Sequence, residues 1–135
     1  MKKTIRIIAV AMVALMLMLT LTSCGKPNSD PDKALDALKE NGIALAAKDT
    51  TITPAALMLL GVKDIDCVVS GTGKTNDGEN ATITVIYFED SSAAKDAFDK
   101  VKEWAEEDND DSDFVFKRSG AMIYFGNKAG VKAAS

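Results

Sequence analysis

Two cysteines, Cys24 and Cys67, are the strongest nucleophiles in this 135-residue sequence, which contains no histidine. Without His the commonest general base and metal ligand is missing, and no Ser or Thr can be paired with such a base. Cys67 lies in Ile65-Asp66-Cys67-Val68-Val69-Ser70, sharing alternate positions with Ile65 and Val69. That spacing predicts a strand in which the thiol is a small buried hydrophobe. A reactive thiol needs an adjacent base or cation, and the sequence supplies no imidazole for it. No catalytic residue and no cofactor-binding residue is assigned.

Two further segments invite a chemical reading. Ser70-Gly71-Thr72-Gly73-Lys74-Thr75 resembles a phosphate-binding loop after a strand. The pattern requires a glycine five residues before Gly73, and that position is Val68. The loop must also open a helix whose N-terminus holds the phosphates, whereas Asn76-Asp77-Gly78 is turn chemistry. A hairpin tip over residues 71–79 is expected. The acidic stretch Glu103, Glu106, Glu107, Asp108, Asp110, Asp111, Asp113 supplies oxygen ligands of the kind Ca²⁺ takes. Against a helix–loop–helix Ca²⁺ loop, Asp108, Asp110 and Ser112 fit the first positions. Asp113 then stands where Gly is needed and Ser119 where Glu is needed. No metal ligands are assigned.

The first 23 residues carry a different message. Lys2, Lys3 and Arg6 precede an apolar run from Ile7 to Leu21, as in the charged and apolar regions of a secretory signal. The run is shorter than the ~20 residues a spanning helix needs. It ends in Leu21-Thr22-Ser23-Cys24-Gly25, which resembles the lipobox of bacterial lipoproteins over residues 1–25. The resemblance implies a diacylglycerol on Cys24 and cleavage between Ser23 and Cys24. It implies membrane attachment at the extracytoplasmic face. Because Gly25 and not Asp follows the Cys, it also implies outward transfer in a two-membrane cell. Cleavage removes three basic residues and no acid, leaving 13 basic against 20 acidic residues. The resulting net formal charge of −7 argues against nucleic acid or an anionic lipid surface as a partner of the folded domain. With Cys24 consumed, Cys67 has no disulfide partner in the chain.

These segments divide the chain into a signal peptide (1–23), a lipidated Cys with a short tether (24–29) and one globular domain (30–135). Asp30-Pro31-Asp32 opens a helix that ends at Asn41-Gly42. A strand is expected over Ile43–Ala47, and a short apolar helix over Pro54–Leu60 after a Thr53 cap. Strands follow over Asp64–Ser70 and Asn80–Phe88, where Ile83, Val85 and Tyr87 alternate with threonines. Asp90 or Ser91 caps the main helix, which places Ala94, Ala97, Phe98, Val101, Trp104 and Ala105 inward. Phe114–Arg118 and Ala121–Phe125 form a hairpin about Ser119-Gly120, and Asn127 caps a last helix. Phe114, Phe116, Tyr124 and Phe125 alternate on these strands and read as core. The fold class expected is α+β: four or five mainly antiparallel strands with helices on one face. Such a lipoprotein reads as a non-catalytic binding or protein-interaction module of the cell envelope, its partner an envelope protein or a small ligand. The alternative is a small-molecule or Ca²⁺ binder.

Seven carboxylates between Glu103 and Asp113 repel one another, yet the stretch lacks the glycine of a tight ligand loop. We expect weak, salt-screened attraction only. A specific site at 100 times its dissociation constant would add about 2.7 kcal/mol, several degrees in a domain of this size. Thermal unfolding in millimolar Ca²⁺ at physiological ionic strength should show no such rise. A rise abolished by Asp110→Asn with Asp111→Asn would establish the ion-binding alternative.

Overall fold

The computed structural model describes residues 26–106 and 114–135. The elements run α1 (Pro31–Glu40), β1 (Leu45–Asp49), α2 (Ile52–Leu59), β2 (Ile65–Lys74), β3 (Asn80–Phe88) and α3 (Ser91–Glu106). They close with β4 (Val115–Ser119), β5 (Met122–Gly126) and α4 (Lys128–Ala133). All strand pairs are antiparallel, in the order β1-β2-β3-β5-β4. The result is the expected single α+β domain with a five-stranded sheet.

The helices do not share one face as expected; they cover both. Ala34 and Leu38 of α1 and Val131 and Ala133 of α4 pack with Cys67, Val69, Ile83, Val85, Tyr87, Met122 and Tyr124. On the other face, Leu57 of α2 and Ala94, Ala97 and Val101 of α3 pack with Val68, Ile86, Phe88, Ile123 and Phe125. The reason lies in β3 and β5. The alternation with threonine covers only the first half of β3, whereas Val85 to Phe88 are four consecutive buried side chains. All of β5 is buried as well. Strands apolar on both sides need a helical layer on each side.

Local chemistry explains most of the helix starts. Asp30, Asp90 and Asn127 accept hydrogen bonds from the N–H groups of Asp32 (3.0 Å), Ala93 (2.8 Å) and Gly130 (2.8 Å), satisfying donors a helix leaves open. The second helix starts earlier than expected and is not held by Thr53. Asp49 at the end of β1 accepts from the N–H groups of Thr51, Ile52 and Thr53 at 2.8–3.0 Å. The Thr53 hydroxyl donates to the same carboxylate at 2.9 Å. These bonds hold the Asp49 carboxyl at about 2, below the usual carboxylate range.

Three further details depart from the expected pattern. The first strand begins at Leu45, two residues late, and Ile43 is buried ahead of it. In β2 a bulge between Ile65 and Cys67 sets two residues against one on β3. Ile65 therefore packs with the α3 face and Cys67 with the α1 face, not side by side. In the β4–β5 hairpin Ser119 pairs with Met122, so Gly120 is the first of two turn residues, not the second. Its φ of +58° suits that position.

The segment read as a tether is partly built into the fold. Pro27 is buried, the Asn28 N–H donates to Ala134 O at 2.9 Å, and the Tyr87 hydroxyl donates to Asn28 O at 2.6 Å. Free chain can begin only before Pro27.

Packing of α4 on β3 depends on a glycine. A Cβ at Gly130 would overlap the Thr82 carbonyl oxygen, a backbone atom. Helix propensity alone favours Ala over Gly by about 1 kcal/mol. The clash should reverse the sign, so we expect Gly130→Ala to destabilise by about 1–3 kcal/mol. Urea unfolding of the variant measures it.

Candidate functional site

Of the residues the sequence singled out, Ser23 and Cys24 lie outside the described residues, as do residues 107–113 of the acidic stretch. Glu103 and Glu106 are exposed on α3. Among the described residues no group of three or more Cys, Asp or Glu side chains is placed to hold a metal ion. The segment like a phosphate loop is β-hairpin: β2 continues to Lys74, and Thr75 N–H donates to Glu79 O at 2.9 Å. The turn is docked on the end of α1, since Asn76 N–H donates to Asn41 O and Asn76 Nδ2 to Glu40 O, both at 2.9 Å. Those donors are occupied by the fold.

Cys67 is 2% exposed and makes no disulfide. Burial, with the nearby Asp66 carboxylate, pushes its thiol up to about 11. At neutral pH it is a thiol, a weak nucleophile. Burial also raises the Tyr87 and Tyr124 hydroxyls.

The aromatic residues divide by strand parity. Tyr124 packs toward α1 and α4, while Phe125 lies against α3. Phe125 is the hub of a cluster: the rings of Trp104, Phe116 and Phe114 lie 5.7, 6.0 and 6.5 Å from it. Phe98 meets Phe116 edge-on at 5.1 Å. These contacts make the cluster part of the core, as the alternation suggested. Trp104 is its outer member and remains 37% exposed.

The surface feature the sequence reading missed is α2. Only Pro54 and Leu57 of this helix turn inward. Ile52 (78% exposed), Met58 (64%) and Leu59 (90%) face outward, and Leu60 follows at 51%. A signal for this was present: residues 50–62 carry no charge, and Leu57-Met58-Leu59-Leu60 are consecutive. Four consecutive apolar residues point to every side of a helix, so one buried face cannot take them all. Ala46 packs with the α1 face, so Leu45, 72% exposed, projects on the same side of the sheet as α2. The outward side of α2 is thus apolar, and Leu45 lies on the same side of the sheet.

Between the loop after α2 and α3 runs a shallow groove. Leu60, Lys100, Glu103 and Trp104 line about 220 Å³ of it. Lys63, Asp64, Asp96 and Lys100 border a neighbouring hollow of about 260 Å³. Lys100 Nζ bridges the groove by donating to Gly61 O at 3.2 Å. Asp64 sits at φ +60°, a left-handed conformation that aspartate tolerates better than most residues. Its carbonyl accepts from Glu89 N–H at 2.9 Å. Both hollows fall below the roughly 300–1,000 Å³ of typical small-molecule sites. No protein-family model, curated protein or solved structure matches this chain.

Two measurements follow from this geometry. Native protein should label slowly at Cys67 with a thiol reagent at neutral pH, and rapidly once unfolded. Leu59→Glu should change unfolding stability by no more than about 0.5 kcal/mol. Leu57→Ala, two residues away in the core, should cost about 2–5 kcal/mol. Denaturant titration of both variants separates a surface kept apolar for contact from one kept apolar for folding.

Proposed function

We propose that this chain is a membrane-anchored extracytoplasmic lipoprotein, held by lipid on Cys24, whose folded domain is a non-catalytic binding module. The observation that carries the binding reading is the outward apolar surface of α2. Isolated exposed apolar residues are ordinary, but a charge-free helix with Ile52, Met58 and Leu59 outward beside Leu60 and Trp104 marks a contact surface. The anchoring reading rests on the lipobox Leu21-Thr22-Ser23-Cys24 behind a basic, apolar leader. No helix among the described residues is long and apolar enough to cross a membrane. The non-catalytic reading is supported by a sequence without histidine and by a shielded Cys67. A small-molecule or Ca²⁺ binder has less support, because the hollows beside α3 are small and of mixed charge.

Cys24→Ser tests the anchor. The wild-type protein should carry the mass of a diacylglycerol, lack residues 1–23 and enter the detergent phase on phase separation. The variant should keep its leader and lose the acyl mass. Identical mass and partitioning in the two proteins would overturn the lipoprotein reading.

A further inference from the structure

We propose that Asn41-Gly42 is a deamidation site, held closed by the hydrogen bonds that join the end of α1 to the end of α4. This site is independent of the anchor and of the binding surface.

Two requirements of the fold bring these residues together. At the end of α1 the Gly42 N–H donates to Lys39 O at 3.1 Å and the Ile43 N–H to Leu38 O at 3.0 Å. That pair of bonds needs a left-handed residue after the helix, and Gly42 has φ +91°. A Cβ at this position would also press on the side chain and backbone nitrogen of Asn76. Position 41 must supply two donors. Asn41 Nδ2 donates to Ala37 O at 2.8 Å and to Ala133 O at 3.1 Å. Ala133 ends α4, so its carbonyl is one that the helix leaves open. The β2–β3 turn closes over the same point, because Asn76 holds Asn41 O with its N–H and Glu40 O with its Nδ2. Asn41-Gly42 is the only Asn-Gly pair in the chain.

Asparagine is a thermolabile residue, and a following glycine leaves the next backbone nitrogen unshielded by a side chain. Once the Gly42 nitrogen gives its proton to hydroxide, it can attack Asn41 Cγ. The N–Cγ bond forms, the Cγ–Nδ2 bond breaks, and the amide takes up a proton and leaves as ammonia. Water then opens the cyclic imide at either carbonyl. One opening yields aspartate, the other isoaspartate, and nothing is oxidised or reduced. In the folded protein both reacting groups are engaged. The Gly42 N–H is held by Lys39 O, and both N–H groups of Nδ2 are held by carbonyls. Ring closure therefore waits for local opening at the end of α1. The product is a carboxylate, which only accepts hydrogen bonds. It would face Ala37 O and Ala133 O at the carboxyl ends of two helices, where negative charge is unfavourable. The bonds cannot re-form, and α1 loses this hold on α4.

The test incubates the full chain, as processed by the cell, at mildly alkaline pH and physiological temperature, with and without denaturing urea. Peptide mapping by mass follows the change from amide to acid at each asparagine. In urea Asn41 should convert ahead of Asn28, Asn76, Asn80 and Asn127. In native protein it should convert at least about tenfold more slowly, the factor that about 1.4 kcal/mol of opening free energy sets. Asn76→Ala, which leaves Asn41-Gly42 intact, should speed native conversion about two- to tenfold, as loss of one net hydrogen bond allows. Converted protein, separated by its added negative charge, should unfold at lower urea concentration than unconverted protein. Asn41→Asp should do the same, and if that variant does not fold the separated product gives the measurement. Conversion in urea led by another asparagine overturns the site. Equal rates in native and unfolded protein, or an unchanged rate in Asn76→Ala, overturn its closure by the fold. Equal urea midpoints for converted and unconverted protein overturn the role of Asn41 in joining α1 to α4.

Discussion

β3 is buried on both sides and hydrogen-bonded on both edges, and the rest of the domain is arranged around that condition. Val85 and Tyr87 point to one helical layer, Ile86 and Phe88 to the other. Its neighbours β2 and β5 leave it no open edge. A strand with four consecutive apolar residues, Val85 to Phe88, is stable only between two covers, since exposing either set forfeits roughly 25 cal/mol for each Å² of apolar surface. The same strand fastens both ends of the described chain. Near its start, Thr82 O accepts from Asn127 N–H and Thr82 N–H donates to the Asn127 side chain, which seats α4. Near its end, Tyr87 holds Asn28 and so the entry to α1.

Covering both faces with four short helices leaves the β1 edge under-covered. α3, with sixteen residues, spans its face and carries the aromatic cluster about Phe125. α2, with eight, contributes only Pro54 and Leu57 to the interior. The large apolar side chains left over on α2, Ile52, Met58 and Leu59, are 64–90% exposed. The opposite edge strand β4 places Lys117 and Arg118 outward, charges of the kind that discourage strand pairing. Among the described residues the large exposed apolar side chains therefore lie on the α2–α3 side of the sheet, opposite α1. The position of this exposed apolar surface is a consequence of how the core was completed.

Much of the secondary structure was legible because its causes are local. Asp30-Pro31, Asp90 and Asn127 each start a helix through contacts within a few residues, and the β2–β3 and β4–β5 hairpins announce themselves by turn residues. Features whose causes lie further along the chain are not legible in this way. The Thr53-Pro54 pair looks like a cap, but the carboxylate of Asp49, already at the end of a strand, takes that role. Alternation through Ile65, Cys67 and Val69 looks continuous, but Asp66 is an extra residue against β3 and reverses the side on which Ile65 packs. Gly120 stands first in its turn, not second as Ser119-Gly120 suggests, because the register between Ser119 and Met122 is set by the whole strand pair.

By itself the sequence determined most of the elements, the antiparallel α+β class and the caps at Asp30 and Asn127, because periodicity and capping are short-range physics. It also carries the leader and the lipobox-like segment on which the anchoring proposal stands. Only the tertiary structure decided that the helices divide between two faces, because two-sided burial depends on which strands become central. Only the fold decided that Pro27 and Asn28 belong to the domain, since their partners are Ala134 and Tyr87, far away in the chain. The same holds for α2: its composition is apolar on every side. Which side chains stay outward was settled by the limited area that β1, β2 and α3 leave for it to cover.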